Sequence, residues 1–257
     1  MKKLNIAVVE FSSRLFMGSG KFSSCEAFRQ ALRASGSELV TMSLTRVDFD
    51  NPADDILAAI DRNKVKIMVN TSGARNAAEA VKIARIAKAG GSNWIKLEIH
   101  PDPIYLLPDP IETFIAAKQL VEEGFVVLPY INADPVLAKR LEEIGVAAVM
   151  PLGAPIGSNL GIKTREMVRI IIEQSNIPVV VDAGIGLPSQ AADAIEMGAD
   201  AVLVNSAIAG AGNPSLMAEA FAQAVKAAEL GRNAQPAVSG NYGDATSPQA
   251  GFGDIFA

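Results

Sequence analysis

Strand-like runs of five to seven residues alternate with longer segments of helical period along the chain. Eight such runs have the pattern of β-strands, at positions 14–18, 39–44, 66–70, 94–100, 125–131, 147–152, 178–183 and 201–206. Helices are expected in the gaps, the last from about residue 214 to 230. Eight strand–helix units over this length predict an α/β fold, a single-domain (β/α)8 TIM barrel. An open, doubly wound sheet is the alternative.

Proline and glycine mark the ends of the predicted helices. An Asn or Asp followed by Pro suits a helix start, and it occurs at Asn51-Pro52, Asp109-Pro110, Asp134-Pro135 and Asn213-Pro214. A glycine that suits a helix end stands before an apolar strand at Gly124, Gly145 and Gly198. The repetition indicates one βα unit used many times, so residues 1–234 are assigned to one barrel domain. An extra strand within residues 4–9 is expected to close the barrel bottom.

The composition changes near the end of the chain. Residues 235–257 are rich in Gly, Ser, Asn and Asp and have no helical period. This flexible C-terminal tail is expected either to be partly disordered or to form a lid over the barrel mouth.

The composition also narrows the function. The net charge is −5 and no basic run exceeds two residues, so neither a nucleic-acid nor a membrane-surface partner is indicated. No apolar stretch approaches the roughly 20 residues of a membrane span, and a cytoplasmic location is the default. With one cysteine and one histidine, neither a disulfide nor a zinc or iron centre is expected. Cys25 is interpreted as a packing residue of the first helix. No residue calls for a metal or an organic cofactor.

The fourth predicted strand, NWIKLEIH at residues 93–100, alternates strictly between two kinds of side chain. Every second residue is aliphatic, namely Ile95, Leu97 and Ile99. The residues between them are large or ionisable, namely Trp94, Lys96, Glu98 and His100. In a barrel of parallel strands, one face lies under the helices and the other faces the interior, so this pattern predicts interior charges.

An interior lysine is costly unless it is paired, and burial can lower its pKa and make it a nucleophile toward carbonyl groups. Lys96 is therefore predicted to form a Schiff base, and a purely structural ion pair with Glu98 is the alternative. Asp182, at the end of the seventh strand, is expected to supply a second carboxylate for proton transfer. The alternative for Asp182 is a cap of a loop or helix. A structural or surface role is expected for His100.

Three loops rich in glycine or polar residues follow the sixth, seventh and eighth strands, where barrel enzymes often bind phosphate. They contain PLGAPIGSN at residues 151–159, DAGIG at 182–186 and NSAI at 205–208. Gly184 and Gly186 permit close approach of the backbone to a ligand, and Asn205 and Ser206 add polar groups. Together the loops predict a phosphate-binding cup. Residues 70–73 and the pair Pro129-Tyr130 also reach the mouth, and either substrate binding or loop capping would explain them.

Long segments of the chain resemble the bacterial thiazole synthases of thiamine biosynthesis. The similarity extends from about Arg14 to Phe252. The matching segments are FMGSGKF, NTSGARNAAEAV, NWIKLEIHPD, LLPDPIET, GFVVLPY, DPVLAKRLEEIG, AAVMPLGAPIGSN, IPVVVDAGIG, GADAVLVNSAIA and ATSPQAGF.

The resemblance implies a sulfur-incorporating transferase that condenses 1-deoxy-D-xylulose 5-phosphate with dehydroglycine and sulfur to give a thiazole phosphate carboxylate. The sulfur would arrive as the C-terminal thiocarboxylate of a small ubiquitin-like carrier protein, and a separate enzyme would supply dehydroglycine. A homotetramer is implied as well. Lys96 matches the Schiff-base lysine of the family, and Glu98 and Asp182 match its acid–base carboxylates. The positions that match the sugar-phosphate site are Gly157, Ala183, Gly184, Asn205 and Ser206.

Two other functions would fit the same residues. One is a barrel aldolase or isomerase that uses Lys96 on another phosphosugar and needs no sulfur carrier. The other is a non-catalytic phosphosugar-binding protein, which would bind its ligand without forming an imine.

Overall fold

The computed structural model describes residues 3–43 and 56–243. Two short strands come first, β1 (Leu4–Ile6) and β2 (Val9–Phe11), and eight parallel strands follow. These are β3 (Leu15–Gly18), β4 (Leu39–Ser43), β5 (Lys66–Asn70), β6 (Trp94–Leu97), β7 (Val126–Ile131), β8 (Met150–Pro151), β9 (Val180–Asp182) and β10 (Ala201–Val204).

The eight parallel strands form a closed barrel. Neighbouring strands pair in the order β8-β7-β6-β5-β4-β3-β10-β9. The remaining gap, between β9 and β8, is closed by Val180 N donating to Val149 O at 2.9 Å and Val149 N donating to Pro178 O at 3.0 Å. Closure confirms the (β/α)8 barrel and rules out the open, doubly wound sheet.

Helices surround the barrel and join successive strands. They are α1 (Cys25–Ser35), α2 (Ala77–Ala89), α3 (Pro110–Glu122), α4 (Pro135–Glu143), α5 (Arg165–Gln174), α6 (Pro188–Met197), α7 (Ser206–Ala209) and α8 (Pro214–Asn233), with a 3-10 helix at Ile56–Ala59. Cys25, the first residue of α1, is half-buried. No helix in the described ranges has both the length and the hydrophobicity needed to cross a membrane.

The helix boundaries follow the local signals in the sequence. Asp109 and Asp134 each accept hydrogen bonds from two backbone N–H groups of the helix that follows, and Asn213 accepts one. The glycines after α3, α4 and α6 have φ values of 78°, 91° and 118°, the left-handed conformation expected for a helix end. The fourth predicted start, Asn51-Pro52, lies outside the described residues.

The bottom of the barrel is closed by a hairpin rather than by one strand. Ala7, with φ of 51°, turns the chain, so that β1 pairs antiparallel with β2. Phe11 packs edge-on against Phe16 and Trp94, with ring centroids 5.3 and 6.0 Å apart. The predicted position of this element is confirmed, and the prediction of a single strand is wrong because residue 7 reverses the chain.

Most barrel strands are shorter than predicted, and β6, β8 and β9 are shorter by three residues or more. β6 ends at Leu97 rather than at residue 100, because His100 N donates to Ala74 O in a loop instead of to a neighbouring strand. β8 has two residues, and isolated bridges at Val149 and Leu152 continue its pairing with β9.

The last helix, α8, is linked to the start of the first barrel strand. Arg14, just before β3, forms a buried ion pair with Glu229 of α8, with 3.0 Å between Nε and Oε1. After α8, residues 235–243 are exposed and have no regular secondary structure, and the rest of the predicted tail lies outside the described residues. The division into a barrel domain, 1–234, and a separate tail, 235–257, remains a prediction.

Candidate active site

The alternation along β6 places its charged side chains inside the barrel. Ile95, Leu97 and Ile99 are fully buried in the apolar cluster between the strands and the helices. Trp94 points to the interior, where it joins the cluster at the barrel bottom. Because successive side chains of a strand point to opposite faces, residues 96 and 98 follow Trp94 inward. Lys96 and Glu98 are 5% and 4% exposed.

Lys96 lies between two carboxylates. Its Nζ is 2.9 Å from Oε1 of Glu98, the residue just beyond β6, and 2.6 Å from Asp182 Oδ2 at the end of β9. The contact with Asp182 is an ion pair without regular hydrogen-bond geometry. β9 lies three strands from β6, so the barrel interior brings the two residues together. The predicted Lys96–Glu98 pair is therefore present, and Asp182 is a partner of the lysine rather than a loop cap.

The charges of this cluster correct one expectation. Burial disfavours the charged ammonium, but the attraction of Asp182 and Glu98 outweighs it and raises the pKa of Lys96. The predicted lowering of this pKa is wrong because it considered burial without the two carboxylates. Burial also raises the pKa of Asp182, against the opposing attraction of Lys96. In the resting site the proton stays on the lysine, and Asp182 is a suitable acceptor 2.6 Å away.

His100 and Tyr130 form the surroundings of the cluster. His100 is buried, with Nε2 3.8 Å from Glu98 Oε2, so a surface role does not apply. Burial lowers the pKa of His100, which favours the neutral ring. The ring of Tyr130 lies 5.5 Å from Lys96 Nζ and 5.8 Å from the His100 ring. Burial, with Asp182 and Glu98 nearby, raises the pKa of Tyr130.

Several buried polar atoms of the described residues near Lys96 have no hydrogen-bond partner. Among the described residues, Asn70 Oδ1, His100 Nε2 and Tyr130 OH are buried without a hydrogen bond. Leaving such a group unsatisfied costs about 1–3 kcal/mol, so these atoms mark a place built for a ligand or for water. Asn70 and His100 line the cavity at the lysine, whereas Tyr130 lies behind it.

A cavity of about 440 Å³ connects the lysine with the predicted cup. It is lined by all eight predicted site residues, namely Lys96, Glu98, Gly157, Asp182, Ala183, Gly184, Asn205 and Ser206. A larger hollow of about 810 Å³ lies beside β2 and α1, but none of these residues lines it. The smaller cavity holds the buried ionisable cluster and is the candidate active site.

The loop of the cup that follows β9 is shaped by backbone in the left-handed region. Ala183 and Gly184, directly after β9, have φ values of 69° and 80°, which turn the chain sharply toward the cavity. A Cβ on Gly184 would lie 2.4 Å from Ala154 N, so only glycine fits there. Gly186 does not line the cavity. A Cβ on it would meet Asn159 at 2.7 Å, so its predicted approach to a ligand is instead an approach to the protein itself.

Asn205 and Ser206 connect the cup with the loop after β3. The Asn205 amide, with its nitrogen facing that loop, donates to Gly18 O at 3.0 Å and to Gly20 O at 2.9 Å. Ser206 Oγ accepts from Lys21 Nζ at 3.3 Å. Lys21 lines the cavity as well, although it was not predicted as a site residue from the sequence. It lies in the segment FMGSGKF, which begins within the first barrel strand and which the resemblance included without giving a role to the lysine.

The end of β5 and the residues after it contribute both to the cavity wall and to the structure around Glu98. Asn70, Ser72 and Gly73 line the cavity. Thr71 is structural, because its Oγ1 donates to Glu98 O at 2.7 Å and accepts from Glu98 N at 2.8 Å. These two hydrogen bonds hold the backbone of Glu98 in place just beyond the end of β6. In the described part of the chain, no three His, Cys, Asp or Glu side chains are grouped as metal ligands.

The fold and the site define a (β/α)8-barrel enzyme with a buried lysine between two carboxylates, at the floor of a polar, glycine-rich cavity. The family model described as thiazole biosynthesis protein ThiG matches residues 5–248. The chain belongs to this family, the thiazole synthases of thiamine biosynthesis.

Similar proteins agree with this assignment. A thiazole synthase of Syntrophobacter fumaroxidans is 60% identical over 255 residues, which are 98% of each chain. A thiazole synthase of Cytophaga hutchinsonii is 59% identical over 251 residues, which are 97% of each. The crystal structure of the Amycolatopsis orientalis BexX/CysO complex contains a chain with a TM-score of 0.83 and 34% identity, with 93% of this chain and 98% of that one covered. The resemblance found in the sequence is thereby confirmed.

Proposed function

We propose that Lys96 forms an imine with the ketone of 1-deoxy-D-xylulose 5-phosphate, and that the enzyme condenses this imine with dehydroglycine and sulfur to give a thiazole phosphate carboxylate. The observation that carries this proposal is the position of Lys96 Nζ, between two buried carboxylates at the floor of the cavity. A lysine there can exchange protons with its neighbours without solvent.

The first step is deprotonation of the lysine. When the sugar is bound, the ammonium of Lys96 gives its proton to Asp182, whose raised pKa makes it a better acceptor than an ordinary carboxylate. The free amine adds to the ketone carbon, and the oxygen leaves as water after it has taken up protons. The product is a protonated imine on Nζ. The positive charge of that imine takes the place of the ammonium charge, so Glu98 continues to stabilise it.

The second step moves the carbonyl character along the sugar. The imine acidifies the hydrogen on the adjacent carbon, and a carboxylate of the pair Glu98 and Asp182 removes it. Reprotonation at the former imine carbon leaves a ketone on the neighbouring carbon, to which sulfur can add. Two carboxylates on opposite sides of Nζ give each proton transfer an acceptor within reach.

The sugar phosphate is assigned to the cup. The backbone N–H groups at Ala183 and Gly184 and the hydroxyl of Ser206 are the donors that we propose for the phosphate oxygens. Gly157 permits close approach from the opposite loop, since a Cβ there would lie 3.6 Å from Ser206 Oγ. Asn205 holds the loop after β3 in place. Binding of the phosphate group, away from the reacting centre, positions the reacting carbons at Lys96.

The proposal includes protein partners. The similar BexX chain was crystallised with CysO. We propose that this enzyme likewise takes its sulfur from a small ubiquitin-like carrier, as a C-terminal thiocarboxylate that enters through the cavity mouth. A separate enzyme would supply dehydroglycine. The homotetramer and the cytoplasmic location expected from the sequence belong to the same proposal.

Borohydride trapping tests the imine. Wild-type protein incubated with 1-deoxy-D-xylulose 5-phosphate and borohydride should gain the mass of one reduced sugar phosphate, and peptide mapping should place it on Lys96. The variant Lys96→Ala should show no adduct, while Lys82→Ala, which changes an exposed lysine of α2, should trap as wild type does. An adduct of undiminished yield in Lys96→Ala contradicts the assignment.

The same experiment separates the alternatives. A phosphosugar aldolase or isomerase would turn over the substrate without any carrier protein. A non-catalytic binding protein would bind the sugar phosphate in calorimetry and form no adduct. Thiazole formation that requires the thiocarboxylate carrier supports the proposal.

A further inference from the structure

Lys21 brings a second cation to the active-site cavity. It lies in the loop between β3 and α1, and its Nζ is 3.3 Å from Ser206 Oγ on the opposite side of the cup. The same Nζ would be 3.0 Å from a Cβ on Gly157. Lys21 therefore reaches the place where the loops after β8 and β10 meet.

The two lysines of the cavity have different surroundings. Lys96 is held by two carboxylates. Within residues 3–43 and 56–243, Lys21 forms no ion pair, and its hydrogen bond goes to a neutral hydroxyl. Its ammonium is consequently available to an anionic ligand.

The charge balance of the cavity calls for such a cation. The floor carries one ammonium and two carboxylates, so its net charge is negative when both carboxylates are ionised. The cup itself offers neutral donors from backbone and from Ser206. A phosphate monoester has about two negative charges near pH 7, and the floor would repel it. A cation at the cup attracts that group and keeps it away from the floor.

The backbone at Lys21 supports a role for the side chain. Its φ is 69°, a conformation that glycine or asparagine adopts at lower cost than lysine does. The loop is fixed from the other side by Asn205, which donates to Gly18 O and Gly20 O. A lysine in a conformation that favours glycine is explained if its ammonium is needed at the cup.

We propose that Lys21 binds the phosphate group of the sugar substrate and thereby selects phosphorylated over unphosphorylated sugars. This inference rests on the proposed function, because it assigns the recognition of that same substrate. The ion pair orients the sugar, with its phosphate at the cup and its ketone at Lys96.

The test compares two sugars in the borohydride assay. In Lys21→Met, the concentration of 1-deoxy-D-xylulose 5-phosphate that gives half-maximal adduct should rise about tenfold or more, the usual cost of a charge-assisted contact. With unphosphorylated 1-deoxy-D-xylulose, the half-maximal concentration should stay within about twofold of wild type. Lys21→Arg should retain most of the preference, and Lys118→Met on the exposed face of α3 should behave as wild type.

A second variant separates binding from folding. Lys21→Gly removes the side chain and suits the positive φ, so its melting temperature should be no lower than that of wild type. It should nevertheless lose the preference for the phosphorylated sugar. An equal loss for both sugars, or no loss for either, overturns the inference.

The inference can fail independently of the proposed function. Inorganic phosphate is a probe that needs no imine, and its binding by calorimetry should weaken by a similar factor in Lys21→Met. If wild-type protein forms no adduct, the imine proposal fails, and the phosphate measurement alone decides on Lys21. Equal phosphate affinity of wild type and Lys21→Met contradicts the role given to this lysine.

Discussion

Among the residues that the structure describes, a buried ionic cluster lies at each end of the barrel. At the bottom, Arg14 and Glu229 are 8% and 4% exposed, and Arg14 also donates to Asp200 O at 2.7 Å. At the mouth, one lysine meets two carboxylates, and several buried polar atoms nearby have no hydrogen-bond partner in the described ranges. The bottom cluster joins α8 to the first barrel strand, so it holds together elements that are far apart in sequence.

The difference lies in how completely the charges are compensated. Removing ions from water is expensive, and a buried pair is tolerated when its partners satisfy it. The buried pair of Arg14 and Glu229 at the bottom is satisfied in this way. The cluster at the mouth has more negative than positive groups, an arrangement that adds no stability and instead supplies proton acceptors. An excess of negative charge, rather than burial, distinguishes the cluster at the mouth from the one at the bottom.

Asp182→Asn removes the excess negative charge at the mouth, because it leaves one cation and one anion there. We expect thiazole formation to fall by roughly 10²–10⁴-fold, the usual contribution of a general acid–base group. The free energy of unfolding should stay the same or rise, because the excess buried charge is gone. Steady-state kinetics and urea denaturation check both parts. A variant that is strongly destabilised would show that Asp182 is structural.

Arg14→Met should have the opposite profile. Breaking the buried pair leaves Glu229 with only the half-exposed Lys226, whose Nζ is 3.7 Å from Glu229 Oε2, and the free energy of unfolding should fall by about 3–5 kcal/mol. Activity per folded molecule should remain at the wild-type level. The double variant Arg14→Met/Glu229→Leu should recover most of the stability, since an apolar pair replaces the ionic one. A double variant as unstable as the single one would contradict this account.

Thr71→Val tests how the backbone beside β6 positions the carboxylate of Glu98. It keeps the side-chain shape but removes both hydrogen bonds to the Glu98 backbone. The expected loss in the free energy of unfolding is about 1–3 kcal/mol, accompanied by slower imine formation because Glu98 is less well held. Thr71→Ser, which retains the hydroxyl, is the matched control. Wild-type rates in Thr71→Val would show that β6 holds Glu98 without help.

The smallest expected effect concerns His100, the only histidine in the chain. Its pKa is lower in the folded protein than the usual 6.5, so the unfolded chain takes up the proton first as the pH falls. The stability due to the neutral ring is present above about pH 6.5 and is lost as the pH falls toward the folded pKa, by at most about 1.4 kcal/mol per pH unit. Denaturation of wild type and His100→Asn between pH 5 and 8 isolates this slope. Parallel curves would show that the folded and unfolded pKa values are equal.

The sequence predicts those parts of the molecule that depend on local patterns. Period-two alternation is enough to place Lys96 and Glu98 on the interior face, and capping residues are enough to begin α3, α4 and α8. The direction in which the pKa of Lys96 shifts depends on Asp182, which lies three strands away. A local sequence pattern does not show that these two residues come together. The same applies to Lys21, because an exposed loop lysine looks like any other until the loop after β10 is placed opposite it.

Lys96 and Asp182 are both carried by barrel strands, and only Glu98 lies just beyond one, where Thr71 holds it. The separation of the two strands depends on the number of strands in the closed sheet, not on the loops around the mouth. The enzyme can therefore accept insertions and exchanges in most of those loops during evolution or engineering, as long as the sheet stays closed. Changes in these loops can alter which substrates are accepted, while the relative positions of Lys96 and Asp182 stay the same.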